Sequence, residues 1–167
     1  GGGATYDGAA GELTVDLALG GDWPERIGLT VRALAFARSG GATALKIGRA
    51  TVEARHHDFP DDEPPDHQTR VLEVSLKSQG LRVPSELGLP LGRNISALNL
   101  EAALLGATPP GTLLESLAKW RDGGGTVEVG HLSLDYGPLV LRGNGTLALD
   151  AAMQPIGSFT AKIQGFF

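Results

Sequence analysis

The stretch Gly143-Asn144-Gly145 has the Gly-x-Gly spacing with which backbone amides can cradle a phosphate. A dinucleotide-binding loop needs a further glycine three positions later and must open a helix. Ala148 stands at that position, and the apolar residues around it alternate as they do in a strand. The chain also lacks the Gly-Lys-Ser/Thr sequence of a P-loop, so we predict no nucleotide site here.

The segment 56–67, HHDFPDDEPPDH, gathers side chains that could bind a metal ion. A zinc site needs converging histidines, whereas the adjacent His56 and His57 would point to opposite faces of a strand. A calcium loop needs acids at alternate positions around a glycine, which this segment lacks. We interpret the segment as a solvated linker, with a weak metal site as the alternative. The candidate ligands are His56, His57, Asp58, Asp61, Asp62, Glu63, Asp66 and His67.

His131, Ser133 and Asp135 are the residue types of a catalytic triad, and they alternate along one predicted strand. Alternate side chains of a strand are about 6.6 Å apart, too far for the hydrogen-bonded chain that a triad needs. We therefore interpret them as the polar face of the strand and predict no catalytic residues and no cofactor. A carboxylate pair for glycoside hydrolysis could still form in space from Asp16, Glu53, Glu73, Glu101 and Glu128, although nothing in the sequence selects a pair.

Composition excludes further classes of function. The 14 Lys and Arg residues against 19 Asp and Glu leave a net charge of −5, whereas a general nucleic-acid binder needs a basic face. The absence of cysteine excludes disulfides, zinc–thiolate sites and thiol nucleophiles. No apolar run approaches the roughly 20 residues that span a bilayer. Because the chain opens on three glycines and stops in mid-pattern, we interpret it as a segment excised from a longer protein, and its length suits a single β-rich domain, residues 1–167.

Apolar and polar residues alternate along most of the chain, which is typical of antiparallel strands with one apolar face. The alternation changes parity within 31–34, 47–50, 76–81 and 129–132, and these are natural places for β-bulges. The fold class predicted is mainly β, with a long, curved antiparallel sheet that forms a β-groove or an open sandwich.

One segment follows a helical pattern instead. Thr112 and Glu115 have the spacing of a capping box, and Leu113, Leu117 and Trp120 follow at helical spacing. The glycines at 123–125 can end the helix in a left-handed conformation. We predict one amphipathic helix at about 112–122, with its apolar stripe on the sheet, and a partner- or membrane-binding helix as the alternative.

Parity gives the two glycines of Gly143-Asn144-Gly145 a structural interpretation. They occupy the same face of a period-two pattern as Leu141 and Leu147, so a continuous strand passes through them and they let it bend. A type I′ hairpin at Asn-Gly is the competing interpretation. We expect a turn at 153–157, after which Phe159, Ala161 and Ile163 return on one face.

Segments 120–129, 136–139, 143–150 and 154–157 read WRDGGGTVEV, YGPL, GNGTLALD and QPIG. In this order they closely resemble the C-terminal part of domain-of-unknown-function family 2125, found mainly in alphaproteobacteria. Members of that family look like envelope proteins with an N-terminal membrane anchor and a soluble periplasmic portion. The resemblance implies a periplasmic location, with anchoring to the inner membrane through a region outside this chain. It supplies no catalytic residues.

The glycine-containing hairpin also shows a looser similarity to the AsmA-like β-groove proteins, which are thought to hold or conduct lipids along an apolar sheet. We therefore expect a periplasmic binding or scaffold module that holds a lipid or another apolar ligand. A structural or protein-interaction domain with a closed core is the alternative, and an envelope hydrolase is a third hypothesis. The expected ligand-facing residues are Val127, Val129, Leu139, Leu141, Leu147, Leu149, Phe159 and Ile163, with Gly143 and Gly145 bending the strand.

Overall fold

The computed structural model describes residues 6–20, 24–38, 43–60 and 65–165, and in these residues it contains nine strands, one α-helix and a short 3-10 helix, Ser85–Leu87. The period-two patterns of the sequence become the strands, and the capping-box segment becomes the helix. In chain order the elements are β1 Tyr6–Ala9, β2 Glu12–Leu19, β3 Pro24–Arg38, β4 Thr43–His56, β5 Arg70–Arg82, β6 Asn94–Leu105, α1 Leu113–Asp122, β7 Thr126–Tyr136, β8 Leu139–Leu149 and β9 Pro155–Gln164.

All strands join one antiparallel sheet that follows chain order from β3 to β9. The strands β1 and β2 both pair with β3 and lie end to end along its outer edge. Among the described residues, β9 pairs only with β8, so the sheet does not close on itself. The predicted fold class, a mainly β and open antiparallel sheet with one helix, is confirmed.

The sheet is a single layer over the described part of the chain. No large side chain there is fully shielded from water, and the buried apolar residues are scattered along the strands and at their ends. The closed core assumed by the second functional hypothesis is therefore missing from these residues. The buried apolar residues are Val31, Ala50, Val71, Val83, Ala103, Trp120, Val129 and Tyr136.

The strand register defines two chemically different faces, because directly opposed residues of neighbouring strands point to the same side. The first face, called the apolar face, is crossed by a row of Val15, Leu29, Val52, Leu76, Leu100, Leu132, Gly143 and Ala161. The second, called the charged face, is crossed one residue away by Thr14, Thr30, Thr51, Lys77, Asn99, Ser133, Arg142 and Lys162.

The parity change at 129–132 is a β-bulge, as predicted. Val129 lies opposite Gly145 and Leu132 opposite Gly143, so β7 has one more residue than β8 between these pairs. On its other side, β7 also has one extra residue relative to β6, because Glu101 lies opposite His131 and Ala102 opposite Val129. The bulge at Gly130 and His131 therefore keeps the valine and leucine on the apolar face although their spacing is odd.

The other parity changes are not bulges, so that part of the prediction is wrong. The β3–β4 and β4–β5 registers run without a shift past Ala33, Gly48 and Gly80. Instead Ala33 and Gly80 have left-handed backbones, with φ of 52° and 64°. Gly48 lies between them across the sheet, where an added Cβ would approach the Gln79 carbonyl oxygen to 3.0 Å. In β3, β4 and β5 the parity therefore changes at three unusual backbone positions that lie side by side across the sheet, and no strand has an extra residue there.

Helix α1 begins as predicted, with a complete capping box. The Glu115 amide donates to Thr112 Oγ1 (3.4 Å) and the Thr112 amide donates to Glu115 Oε2 (3.1 Å), which lowers the pKa of the Glu115 carboxyl. The helix ends before Gly124, whose φ of 79° is left-handed. These contacts confirm the predicted helix at 112–122.

The prediction that the helix lies on the sheet is wrong. Leu113 is 76% exposed, and Leu114 is exposed as well. The helix is instead attached at the end of the sheet, where buried Trp120 donates from Nε1 to the Leu105 carbonyl at 2.7 Å. Because β6 ends and β7 begins at the same end of the sheet, the connection between them need not cross a face.

Candidate functional site

The structure brings all the expected ligand-facing residues to the apolar face. On the last three strands, Val127 lies opposite Leu147, and Leu141 lies opposite Ile163. Val129 is buried, whereas Leu147, Phe159 and Ile163 are exposed. The remaining members of the set are half-buried on the same face: Val127, Leu139, Leu141 and Leu149.

The glycines at 143 and 145 lie within the continuous strand β8, so the hairpin interpretation is wrong. Each faces the ring of Phe159 on β9: a Cβ at Gly143 would come 2.7 Å from the ring carbon Cε1, and one at Gly145 would overlap the ring. The missing side chains let an aromatic ring lie on the backbone of the neighbouring strand. Bending of the strand by these glycines stays a prediction.

The turn after β8 comes earlier than expected, between Asp150 and Gln154. The Asp150 carboxylate accepts from the amides of Ala152 and Gln154, both at 2.8 Å. Met153 has a left-handed φ of 61°. The prediction of a turn at 153–157 is wrong because β9 already begins at Pro155, and Phe159, Ala161 and Ile163 do return on one face.

The apolar face extends to β2 and β3, beyond the ligand-facing residues expected from the sequence. Leu13 is 62% exposed and Leu19 is 78% exposed, and both lie on the edge strand. Leu17 lies opposite Ile27 and Val15 opposite Leu29, so the exposed leucines continue the apolar face without a break. The alternation at 13–19 was the signal that could have extended the site.

Exposure on the apolar face increases from its centre to its two sides. Val52, Leu76 and Leu100 in the middle strands are half-buried, because neighbours on both sides shield them. The side chains of β2 and β9 have a neighbour on one side only. A contiguous, exposed apolar surface is typical of an interaction surface.

The charged face carries a hollow of about 280 Å³ over strands β3 to β7. Four of the five carboxylates named as candidates for a pair line it, while Asp16 does not: these are Glu53, Glu73, Glu101 and Glu128. Sequence reasoning could not select them, because they come from four strands. Arg26, Arg55 and Arg70 line the same hollow, which is therefore mixed in charge.

Part of the hollow is occupied by a network of ion pairs. Arg70 Nη2 lies 2.8 Å from Glu128 Oε2, and Arg70 Nη1 lies 3.6 Å from Glu73 Oε1. The hydrogen bond to Glu128 raises the pKa of the Arg70 guanidinium. His57 Nε2 lies 3.2 Å from the other oxygen of Glu73. These four groups satisfy one another at one side of the hollow.

The histidines of the acidic linker engage different carboxylates. His56 Nδ1 lies 3.1 Å from Asp58 Oδ1, whereas His57 reaches Glu73 on β5. Asp66 accepts from Thr69 Oγ1 at 2.6 Å and from the Gln68 amide at 2.9 Å, and these bonds lower the pKa of its carboxyl. Residues 61–64, with three of the candidate ligands, lie outside the described residues. Among those that are described, no three His, Asp or Glu side chains converge as a metal site would require.

The side chains of His131, Ser133 and Asp135 remain side by side along β7. His131 lies opposite Glu101, Ser133 opposite Asn99 and Arg142, and Asp135 opposite Ala97 and Val140. In the described part of the chain, no hydrogen bond joins the three. Their arrangement is that of a polar strand face.

The fold and the two faces define a single-layer, open antiparallel β protein with an extended apolar surface. The chain belongs to the family described as "Uncharacterized protein conserved in bacteria (DUF2125)", which matches residues 1–167 and so extends the resemblance to the whole chain. No curated protein and no solved structure matches the chain. Within the described residues, none of the helices combines the length and the apolar character needed to cross a bilayer.

Proposed function

We propose that this chain is a non-enzymatic binding module of the bacterial envelope and holds the acyl chain of a lipid against its apolar face. The observation that carries the proposal is the continuity of that face. Large aliphatic side chains are exposed at both of its sides, from Leu17 and Leu29 to Leu147 and Ile163, and an open sheet joins them.

The chemistry of the face suits an acyl chain. Aromatic residues are only 5% of the sequence, so the surface is built from flexible aliphatic side chains that can follow a bent hydrocarbon. Each methylene group removed from water gains about 0.8 kcal/mol, so ten of them gain on the order of 8 kcal/mol before the cost of ordering the chain. The same burial stabilises the sheet, because it covers side chains that are now exposed to solvent.

A location in the periplasm, with anchoring to the inner membrane through a region outside this chain, is part of the proposal. It rests on the sequence resemblance, which implies an envelope location, and on the looser similarity of the hairpin pattern to that of AsmA-like β-groove proteins. That pattern is an analogy, since a shared sheet does not by itself specify a ligand.

Binding of a fluorescent long-chain fatty acid tests the proposal, together with native mass spectrometry of the protein purified from bacterial membranes. We expect the double variant Leu17→Gln/Leu147→Gln to weaken binding at least about tenfold, because both side chains lie on the apolar face and are exposed. The matched control is Leu113→Gln/Leu114→Gln, which changes two exposed leucines of α1 away from that face. The control should bind the probe like the unchanged protein.

Equal weakening by both double variants would contradict the proposal, as would the absence of any bound lipid or probe. Analytical sedimentation of the lipid-free protein tests a further outcome, in which two copies of the chain associate through the apolar face. A concentration-dependent dimer that the apolar-face variant abolishes, with no affinity for the probe, would assign the face to a second copy of the chain instead of a lipid.

A further inference from the structure

The hollow on the charged face has a floor of small residues, surrounded by long charged side chains. Ser75, Ala103 and Gly130 line it from three neighbouring strands, and Ala103 is buried. Small side chains between long ones leave depth above the sheet, and the volume of about 280 Å³ is close to the lower end of the range for small-molecule sites.

Three of the seven charged residues that line the hollow are already paired. Glu73 is bound by His57 and Arg70, and Glu128 by Arg70, as described above. Arg55 lies directly opposite Glu73 in the β4–β5 register, yet within the described residues no ion pair joins them. Glu73 therefore binds His57 and Arg70 instead of Arg55, although it lies directly opposite Arg55.

The other four are two arginines and two glutamates, each pair in its own part of the hollow. Arg26 and Arg55 lie directly opposite each other on β3 and β4, an arrangement that costs stability unless an anion lies between them. Glu53 and Glu101 both lie opposite Ser75, one on each side of it. In the part of the chain that the structure describes, none of these four side chains has an ion pair or a side-chain hydrogen bond.

The two arginines are also accessible from their other side. A second hollow, of about 480 Å³, is lined by both of them together with Glu25, His57 and Asp58. The pair thus stands between two open spaces, where a ligand can reach each guanidinium. Guanidinium groups bind phosphate and carboxylate oxygens through two parallel hydrogen bonds, which makes a facing pair of arginines a suitable anion site.

We propose that the hollow binds a small, free zwitterion, with a phosphate-type group between Arg26 and Arg55 and an ammonium group between Glu53 and Glu101. Strand spacing supports the distance between the two subsites, since Arg55 and Glu53 are alternate residues of β4, about 6.6 Å apart. The proposal concerns the opposite face from the lipid site and does not depend on it.

Calorimetric titration with O-phosphoethanolamine tests this inference on the unchanged chain and on single variants. We expect Arg55→Gln and Glu101→Gln each to weaken binding at least about tenfold, because each removes a charge-assisted contact. Inorganic phosphate alone and ethanolamine alone should bind at least about tenfold more weakly than the zwitterion, since each fills one subsite.

Arg142→Gln is the matched control for the arginine variant: it removes an exposed arginine from the charged face of β8, outside the hollow, and should leave binding unchanged. All variants change exposed side chains, and far-ultraviolet circular dichroism checks that each one folds. Failure of O-phosphoethanolamine to bind would overturn the inference. So would phosphate binding as tightly as the zwitterion, equal losses in Arg55→Gln and Arg142→Gln, or binding only to vesicles that carry phosphoethanolamine headgroups.

Discussion

The two faces of the sheet are built from alternate residues of the same strands, and they differ in how their side chains contact water. Leu76 and Lys77 are neighbours on β5, one on each face. The apolar face hides its central side chains by lateral crowding and leaves the outer ones exposed. The charged face needs little cover, because most of its groups are solvated or paired with one another, the buried Asp135 Oδ1 being an exception.

This difference separates stability from binding. In a single layer, the free energy that holds neighbouring strands together comes mainly from the crowded centre of the apolar face. The exposed leucines of β2 gain little from folding and are free to bind. The charged face adds little to stability, because its ion pairs are exposed.

Val129→Asp should have the largest effect, because it places a carboxylate at a position that is only 7% exposed at the centre of β7–β8. We expect a loss of about 3 kcal/mol or more in the free energy of unfolding, measured by urea denaturation. Asn144→Asp, at an exposed position on the charged face of β8, should change it by less than about 0.5 kcal/mol. Similar losses of stability in both variants would contradict the expected difference between the two faces.

Gly145→Ala should have an intermediate effect of about 1–3 kcal/mol, because the added Cβ collides with the Phe159 ring and the Ser158 carbonyl oxygen. Asn144→Ala is the control on the other face, with an expected change below about 0.5 kcal/mol. In a Phe159→Ala background the cost of Gly145→Ala should fall without vanishing, since the carbonyl contact remains. If Gly145→Ala cost as much stability in the Phe159→Ala background, contact with the ring would not be the reason for a glycine at position 145.

Arg70→Gln should have the smallest effect. It removes the exposed ion pairs with Glu128 and Glu73, so the protein should be slightly less stable at low salt and unchanged at about 1 M salt. Urea denaturation at the two salt concentrations measures this. A loss as large as that of Val129→Asp, or one that persists in high salt, would show that the charged face holds the fold as well.

Local patterns in the sequence were sufficient for several elements. The capping box of Thr112 and Glu115 predicted the start of α1, because its partners are three residues apart. Counting parity placed Gly143 and Gly145 in a continuous strand and assigned the expected ligand-facing residues to one face. The odd spacing from Val129 to Leu132 predicted the bulge of β7, since only an extra residue keeps both on the apolar face.

Other features depended on contacts that local patterns do not specify. The apolar stripe of α1 showed that a helix would form but not what it would contact, and the structure attaches it by Trp120 at the end of the sheet. The parity changes near Ala33 and Gly80 look like that of β7 in the sequence. They are left-handed backbones instead, and only the unbroken register of the neighbouring strands distinguishes the two cases.

By itself, the sequence determined the antiparallel strands, the helix and the division of residues between two faces, because a strand repeats every two residues wherever it lies. The tertiary structure decided which residues of different strands meet. The register of neighbouring strands places the ring of Phe159 against Gly145 and brings four glutamates around one hollow: Glu53, Glu73, Glu101 and Glu128. Register is a property of pairs of strands, so no single segment contains it.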